Sequence, residues 1–467
     1  MPRARLKLWQ GFALPPQTLL FLALCAATQT TERSSEIFLE IQPIGMEETG
    51  RVARAISFDE VLDLALEENL DLKLALAEEE IGRSRSRGAL SKLVPELRLG
   101  AGTAQTDGRV QGSFGELRDT KYDTKEAHIA LSYHVNPGAR IEDSLAARRE
   151  LDAAVYGVLN TRQRLLLRVA ELYSNVALTQ VGFQIARQRA QDSEEFLRIA
   201  SARQRGGIGL GSDVARARAE LAREQQELIQ SREIWQTASV RLAVVLRLDP
   251  GLPLIAAEER LAPLDFTPEV AGSEAERRAR RRPDVEASRK RMEAAAKRFS
   301  SAWWELAGPE LTAELRETYI GESVSDTGDR RNAGVFVGWT LSLGKLETIL
   351  ERRAERTTAE LRALRTEERA AGEARGALHE LDGARERLPL ALTGLEAAQQ
   401  NHRISLAQFK SGTAIGLEVI DAANRLAGAR LDLARAIVDY NLAQVKLLAA
   451  TGALQVELLR VAGPIAP

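Results

Sequence analysis

The chain contains the stretch Gly207-Ile208-Gly209-Leu210-Gly211-Ser212-Asp213-Val214, and a similar stretch follows 205 residues later, Gly412-Thr413-Ala414-Ile415-Gly416-Leu417-Glu418-Val419. Each stretch leads into apolar residues at every seventh position. These residues are Val214, Leu221, Leu228, Trp235 and Leu242 in the first series and Val419, Leu426, Leu433, Tyr440 and Leu447 in the second. Because all five positions agree in spacing and in type, the sequence indicates a duplicated chain.

The seven-residue period predicts helices that pack along one stripe. Such a period keeps the stripe facing a partner helix and favours left-handed supercoiling. Still longer helical stretches precede the two glycine turns, over about residues 139–205 and 346–410. At 1.5 Å per residue, each stretch would be roughly 100 Å long. We therefore predict a coiled-coil rod or a helical barrel, because helices of that length cannot pack into a globule.

Each half also contains two segments in which apolar residues alternate with polar or small ones. They lie at about 95–106 and 126–135 in the first half and at about 309–320 and 333–343 in the second, with polar loops at 103–125 and 321–332. About ten residues is the length of a tilted membrane-spanning strand. A single strand of this kind is more often part of a soluble sheet. Four strands in matched pairs favour a membrane barrel, and since four cannot close one, we expect several copies to share it.

The composition excludes several functional classes. The 467 residues are 44% hydrophobic and carry a net charge of −2, which leaves no basic field for nucleic acid. One cysteine and four scattered histidines disfavour a disulfide scaffold and a histidine metal cluster. The glycines at 207, 209 and 211 follow a helix and not a strand, so we expect no nucleotide site or other cofactor. No Ser/His/Asp set or cysteine nucleophile is evident, and we predict no enzyme.

Residues 1–27 have the order of parts of an export signal, with a basic start, a short apolar run and small residues at the end. A buried N-terminal helix is the alternative. Cys25 adds the possibility of cleavage before it and attachment of a lipid. Leu24 stands where a bacterial lipid-attachment motif normally has a small residue, so lipidation is the less favoured of the two outcomes.

In this arrangement the sequence resembles the TolC-type outer-membrane efflux family over about residues 56–452. The likeness rests on four segments, Ser57–Asn69, Asn136-Pro137-Gly138, Arg282-Pro283-Asp284-Val285 and Gly412–Ala422. It implies a mainly α fold with a membrane β-barrel contribution, in which a homotrimer forms a twelve-stranded barrel in the outer membrane and a twelve-helix α-barrel across the periplasm. It also implies a passive exit duct of a tripartite efflux or type I secretion system. Its expected partners are a periplasmic adaptor, an inner-membrane pump and outer-membrane lipid, with no nucleic acid.

The resemblance places a gate at the periplasmic tip. Glu418 and Asp421 align with the family's constricting acidic residues, and being three apart they share one helix face. Six carboxylates in a trimer would attract cations or hold a metal ion in the pore, although no metal site is otherwise predicted. The alternative is that Asp213 and Glu418 are ordinary helix-start acids favoured by the helix dipole. That alternative explains Asp421 less well.

The family's gate can also be locked by an arginine and a tyrosine that bond to groups at the first turn. This chain has Ala414 and Phe409 at the corresponding positions, and Ser212 and Asp213 match the first-turn groups. We therefore expect a gate that is held by packing and by the adaptor. The resemblance assigns adaptor contacts to four residues at the two turns, Gly207, Leu210, Gly412 and Leu417.

The whole chain is thus predicted to divide into six parts. They are an export signal (1–27), an N-terminal extension (28–55), a first repeat (56–247), an equatorial linker (248–282), a second repeat (283–452) and a C-terminal tail (453–467), with turns at 206–211 and 411–416. Trp303 and Trp304 precede a strand, where they mark a membrane interface or pack beneath the barrel. The competing function is a soluble periplasmic coiled-coil adaptor or structural spacer, which explains the heptads and not the doubled strands. The sequence does not identify the cargo.

Overall fold

The computed structural model describes residues 38–40, 53–111, 114–207, 209–258, 260–264, 271–323 and 326–461. The predicted export signal and Cys25 lie outside these residues. The fold is mainly α-helical with one four-stranded sheet and two small strand pairs. The elements in chain order are β1 (Leu39–Glu40), β2 (Arg54–Ile56), α1 (Phe58–Glu68), α2 (Leu70–Ser91), β3 (Glu96–Gln111), β4 (Leu117–Val135), α3 (Pro137–Arg205), α4 (Gly211–Leu246), β5 (Leu254–Ala256), β6 (Arg260–Leu261), α5 (Gly272–Ala279), α6 (Pro283–Ala307), β7 (Glu310–Ser323), β8 (Asp326–Gly338), α7 (Leu343–Ser411), α8 (Gly416–Ala450) and α9 (Val456–Val461).

The two long helices, α3 and α7, each have 69 residues. The side chain of Asn136 caps α3 by accepting a hydrogen bond from the backbone N–H of Ala139, and Ser342 caps α7 in the same way. After each glycine turn the chain returns along its own helix, through α4 in the first half and α8 in the second. Among the described helices, none combines the length and the apolar character that a membrane-crossing helix needs.

The helices pack through the stripes that the seven-residue period indicated. In α4, Val214, Trp235 and Leu242 are buried and the two other heptad residues are half-buried. In α8, four of the five heptad residues are buried and Leu426 is half-buried. The prediction that these residues form the helix seams is confirmed.

The largest apolar core of the described residues lies midway along the molecule, where α1, α3, α4, α5, α7 and α8 meet the small strand pairs. β2 pairs in parallel with β5, and β1 pairs antiparallel with β6, so the N-terminal extension is tied to the equatorial linker. The hydroxyl of Tyr173 donates to the carbonyl oxygen of Ile56, 2.9 Å away, and also contacts the carboxylate of Glu258. Burial, reinforced by Glu258, holds the pKa of Tyr173 well above its ordinary value.

The four-stranded sheet is antiparallel with the order β3-β4-β7-β8. It differs from the sequence prediction in extent, because the segments expected to be polar loops at 103–125 and 321–332 are largely strand. The ladder of backbone hydrogen bonds needs no apolar side chains, so it continues past the apolar part of each strand. The last strand ends at Gly338 and not at 343, since Ser342 already caps the following helix.

The two faces of this sheet differ in character. Leu97, Leu131 and Leu315 lie side by side across three strands and are exposed on one face. Ala130 and Thr318 lie on the opposite face and are buried. Within the described protomer the outer edges of β3 and β8 pair with no other strand.

The sheet joins the helices through a close contact between Gly138 and Trp304. A Cβ atom on Gly138 would lie 2.2 Å from the indole of Trp304, so only glycine fits there without a rearrangement. The side-chain amide of Asn136 donates to the carbonyl oxygen of Trp304 at 2.6 Å. Trp303 and Trp304 are each about half exposed, at 48% and 47%. Trp304 thus packs at the base of the sheet while part of its ring remains open to solvent.

Candidate functional site

Two tight turns join the long helices to their return helices at one end of the molecule. Gly207 and Gly412 have backbone φ angles of +77° and +86°, a left-handed conformation that glycine adopts without strain. In the second turn, the N–H groups of Thr413 and Ala414 both donate to the carbonyl oxygen of Gln408, at 2.9 and 3.3 Å. These bonds satisfy a carbonyl oxygen in the last turn of α7.

The two turns are joined by Arg203 of α3 and Phe409 of α7. The Nη1 atom of Arg203 donates to the carbonyl oxygen of Phe409 at 2.6 Å, and the guanidinium lies 4.7 Å from the centroid of the Phe409 ring. Phe409 is 2% exposed, and its ring packs against Phe196 with the centroids 5.1 Å apart. Arg203 was not identified from the sequence, and the expectation that a gate is held by packing stays a prediction.

A small apolar cluster, here called the turn cluster, lies directly behind the turns. Its buried members come from all four helices and are Phe196, Ala200, Val214, Ala217, Phe409 and Val419. It is separate from the large midway core. The turns therefore have their own packing unit, which can rearrange without disrupting the main core.

The predicted gate acids differ in their surroundings. Glu418 and Asp421 are both exposed on α8, and Asp421 is paired with Arg425 at 2.9 Å. Asp213 is half-buried in the first turn of α4, and Ser212 beside it is exposed. The N-cap residues of α4 and α8 provide no side-chain hydrogen bond. Asp213 and Glu418 lie in the first turns of these helices, where a carboxylate interacts favourably with the helix dipole. Both interpretations of these two residues stay predictions.

The residues predicted to contact an adaptor lie on the outer surface of the turns. Leu210 is 64% exposed and Leu417 is 52% exposed, and both glycines are exposed beside them. Exposed leucines at a chain reversal form a small apolar surface that a partner could cover. Ala414 is half-buried behind this surface.

A polar cluster that the sequence analysis missed lies farther along the helices, beyond the turn cluster. We call it the Glu224 cluster, and its members are Arg189 of α3, Glu220, Arg223 and Glu224 of α4, and Asn424 of α8. Glu224 occupies the seam position seven residues after buried Ala217, where a coiled coil normally has an apolar residue. A glutamate at this normally apolar position is the sequence signal that could have revealed the cluster.

A cavity of about 310 Å³ adjoins the Glu224 cluster. It is bounded by α3, α4, α7 and α8, and its apolar end reaches Phe196 and Val419 of the turn cluster. In the parts of the chain that the structure describes, no three His, Cys, Asp or Glu side chains are grouped as metal ligands.

Comparison with known proteins gives matches of sequence and of fold. Residues 61–246 match the family described as outer membrane efflux protein. The chain is 25% identical over 246 residues to the pyoverdine export outer membrane protein OpmQ of Pseudomonas putida, and the match covers 51% of each protein. The OpmQ protein of Pseudomonas aeruginosa is 25% identical over 389 residues, which cover 80% of this chain and 81% of the relative. The chain thus spans about half the length of the first of these relatives.

The fold is similar to that of solved outer membrane proteins. The structure of VceC from Vibrio cholerae superposes with a TM-score of 0.75 over 85% of this chain and 96% of VceC, at 20% sequence identity. At this identity the likeness concerns the fold, and the mainly helical architecture with its added strands is shared.

Proposed function

We propose that the chain is an outer membrane efflux protein, three copies of which form a passive exit duct across the outer membrane. The observation that carries this proposal is the four-stranded sheet with its two unpaired edges. An open strand edge is not tolerated in lipid, because its N–H and C=O groups would find no partner there. Pairing β8 of one copy with β3 of the next gives twelve strands and leaves no edge.

The exposed apolar face of the sheet supports a location in a membrane. Leu97, Leu131 and Leu315 are between 43% and 65% exposed in the protomer, and a lipid surround would cover them. The paired long helices then extend into the periplasm by roughly 100 Å, at 1.5 Å per residue. This arrangement places the two turns at the periplasmic tip.

The proposed gate lies at that tip. Glu418 and Asp421 would form rings of carboxylates, while Ser212, Asp213, Phe409 and Ala414 would surround the constriction. The exposed Leu210 and Leu417, with Gly207 and Gly412, would contact a periplasmic adaptor, and an inner-membrane pump would supply the energy. The proposal assigns the chain no catalytic step.

The cargo of such a duct depends on its pump. Both OpmQ relatives are named for pyoverdine export. Pyoverdine is therefore the first cargo to test, by comparing its release from cells with and without the chain.

The proposal is tested by fractionation and by conductance. We expect detergent-soluble trimers in the outer-membrane fraction, and discrete current steps when the purified trimer is added to a planar lipid bilayer. A water-soluble, elongated monomer without current steps would contradict the duct and favour the soluble coiled-coil adaptor or spacer.

A further inference from the structure

The carboxyl group of Glu224 is buried at the point where three helices meet. The residue is 1% exposed, and its Oε1 atom accepts hydrogen bonds from Arg189 at 2.5 Å and from Arg223 at 3.0 Å. Its Oε2 atom is also buried and has no hydrogen-bond partner, although the side chain lines the 310 Å³ cavity. A buried carboxylate oxygen without a partner is costly, so this atom calls for a physical explanation.

Asn424 connects this carboxyl group to the second half of the chain. Its Oδ1 atom accepts from Arg189 at 2.6 Å and from Arg223 at 3.1 Å, and its Nδ2 atom donates to Glu220 at 3.3 Å. The same two arginines thus hold Glu224 on α4 and Asn424 on α8. Movement of α8 away from the α3–α4 pair must break these bonds and expose Glu224 to water.

Other charged and titratable groups face the cavity from each surrounding helix. They are Asp192 and Glu195 on α3, Glu220 on α4, His402 and Lys410 on α7, and Arg430 on α8. The cavity therefore carries both signs of charge. A cationic ligand at Oε2 would approach the two guanidinium groups that already share Oε1, and they would repel it. A proton neutralises the carboxyl group, and the neighbouring Glu220 carboxylate can accept the hydrogen bond that protonated Glu224 then donates.

The direction of the pKa shift agrees with this geometry. Burial raises the pKa of the Glu224 carboxyl above its ordinary value, Arg189 and Arg223 oppose the rise, and neighbouring Glu220 adds to it. Once exposed to water, the same carboxyl would return to its ordinary pKa. The proton is therefore bound more tightly in the closed arrangement of the helices than in an opened one.

We propose that Glu224 is a proton-operated latch, which holds α8 against α3 and α4 while Oε2 is protonated and releases α8 when it ionises. This inference rests on the proposed duct, whose tip must open for cargo to pass. Acid stabilises the closed arrangement, and a rise in pH through the folded-state pKa of Glu224 favours opening. One proton per protomer changes the opening equilibrium by at most about tenfold per pH unit, and by up to about a thousandfold if three copies open together.

The first experiment measures the open probability of the reconstituted trimer in planar bilayers between about pH 5 and about pH 8, the range through which a raised carboxyl pKa moves. In the wild-type protein we expect the open probability to rise with pH. Glu224→Gln, which resembles the protonated state in shape and charge, should stay mostly closed at every pH. Glu233→Gln is the matched control, because it removes the same charge from an exposed position on α4, and it should follow the wild type.

A second measurement does not depend on conduction. Spin labels on cysteines at the exposed positions Gln226 of α4 and Gly428 of α8 report the separation of the two helices in the purified trimer. We expect the separation to grow with pH in the otherwise wild-type protein and to remain short with Glu224→Gln. Equal pH profiles with and without Glu224→Gln, in either measurement, would overturn the latch. Separations that follow the expectation in a protein that never conducts would support the latch and contradict the duct.

Discussion

The guanidinium of Arg203 makes two different contacts with one residue, because it donates to the carbonyl oxygen of Phe409 at 2.6 Å and lies 4.7 Å from the centroid of its ring. The two residues are 206 positions apart, and they join the end of α3 to the end of α7. The hydrogen bond holds the backbone of Phe409 at the start of the second turn, and the ring contact holds the side chain of Phe409. The two turns of a protomer are thus held together by Arg203.

Removing Arg203 should loosen the tip of the proposed duct. A hydrogen bond from a charged donor contributes about 2 kcal/mol, which corresponds to roughly a thirtyfold change in an opening equilibrium. We expect Arg203→Ala to raise the opening equilibrium constant by about that factor, as measured by the ratio of open to closed time in bilayers. Arg198→Ala removes an exposed arginine from the same helix and should have little effect. If both variants behave alike, the contact with Phe409 does not hold the tip.

Truncation of Phe409 should destabilise the turn cluster locally. Phe409→Ala removes a buried ring and should cost about 3–5 kcal/mol, because neighbours in a packed cluster refill the space only in part. We expect hydrogen exchange to accelerate at residues 196–217 and 405–420 while the midway core keeps its protection. Phe409→Leu retains apolar volume and should lose less than half as much protection. Uniform loss across both cores would argue against a separate packing unit at the tip.

The two gate acids should differ in their effect on cations. Asp421 is paired with Arg425 at 2.9 Å, whereas Glu418 forms no ion pair among the described residues. In the proposed trimer, Glu418→Gln should therefore weaken block of the current by Mg²⁺ more than Asp421→Asn does. The measurement is the Mg²⁺ concentration that halves the current from the periplasmic side. Equal shifts for the two variants would contradict this distinction, and removal of both carboxylates without any shift would exclude a cation site at the tip.

The contact between Gly138 and Trp304 predicts a destabilising substitution where the sheet meets the helices. Gly138→Ala forces a Cβ atom to within 2.2 Å of the indole unless something moves, and overpacking of this kind costs about 1–3 kcal/mol. Gly157→Ala is the matched control on the same helix, since a Cβ there meets nothing within 4 Å. The control should be neutral or stabilising by about 0.5–1 kcal/mol. Thermal dissociation of the trimer compares the two variants, and an equal effect would show that the contact is not tight.

Lowering the pH should weaken the ion pairs that join α7 to α6 and to the end of α5. Glu367 accepts from Arg280 at 2.6 Å and from Arg289 at 3.0 Å, and the two arginines, Arg289 foremost, lower the pKa of its carboxyl. Because the folded pKa lies below the unfolded one, the stabilisation is present above the unfolded value and is lost as pH falls through the folded value.

The corresponding measurement compares melting temperatures at neutral pH and at about pH 3.5, below the ordinary glutamate pKa. Glu367→Gln should show a smaller acid-induced drop than the wild type, since it has already lost this ion pair. Glu368→Gln changes the adjacent exposed residue and should match the wild type. If the melting temperature of Glu367→Gln falls as much in acid as that of the wild type, Glu367 does not contribute to the acid-induced destabilisation.

The sequence predicted the parts of the fold that follow a period. Val214 and Val419 begin seams whose members are buried or half-buried, because a seven-residue spacing places side chains on one helix stripe whatever the partner. The extent of the strands was wrong, since backbone pairing continues through polar residues such as Lys121 and Asp107, which form an ion pair across β3 and β4.

The polar contacts between the halves could not be predicted from the sequence. Arg189 and Asn424 are 235 positions apart, and no spacing rule relates residues on helices from different repeats. Glu224 was not identified either, although a glutamate at a seam position is detectable without a structure. The roles of Glu418 and Asp421 remain predictions. The resemblance to the family did not indicate that Asp421 forms an ion pair with Arg425.

The equal length of α3 and α7 restricts how genes of this kind can change. An insertion of seven residues in one long helix would preserve its apolar stripe and still push its turn about 10 Å beyond the other, at 1.5 Å per residue. Arg203 could then no longer reach Phe409, and a partner would meet one turn of each pair and miss the other. Insertions and deletions in one half should therefore survive in evolution only when the other half acquires a matching change.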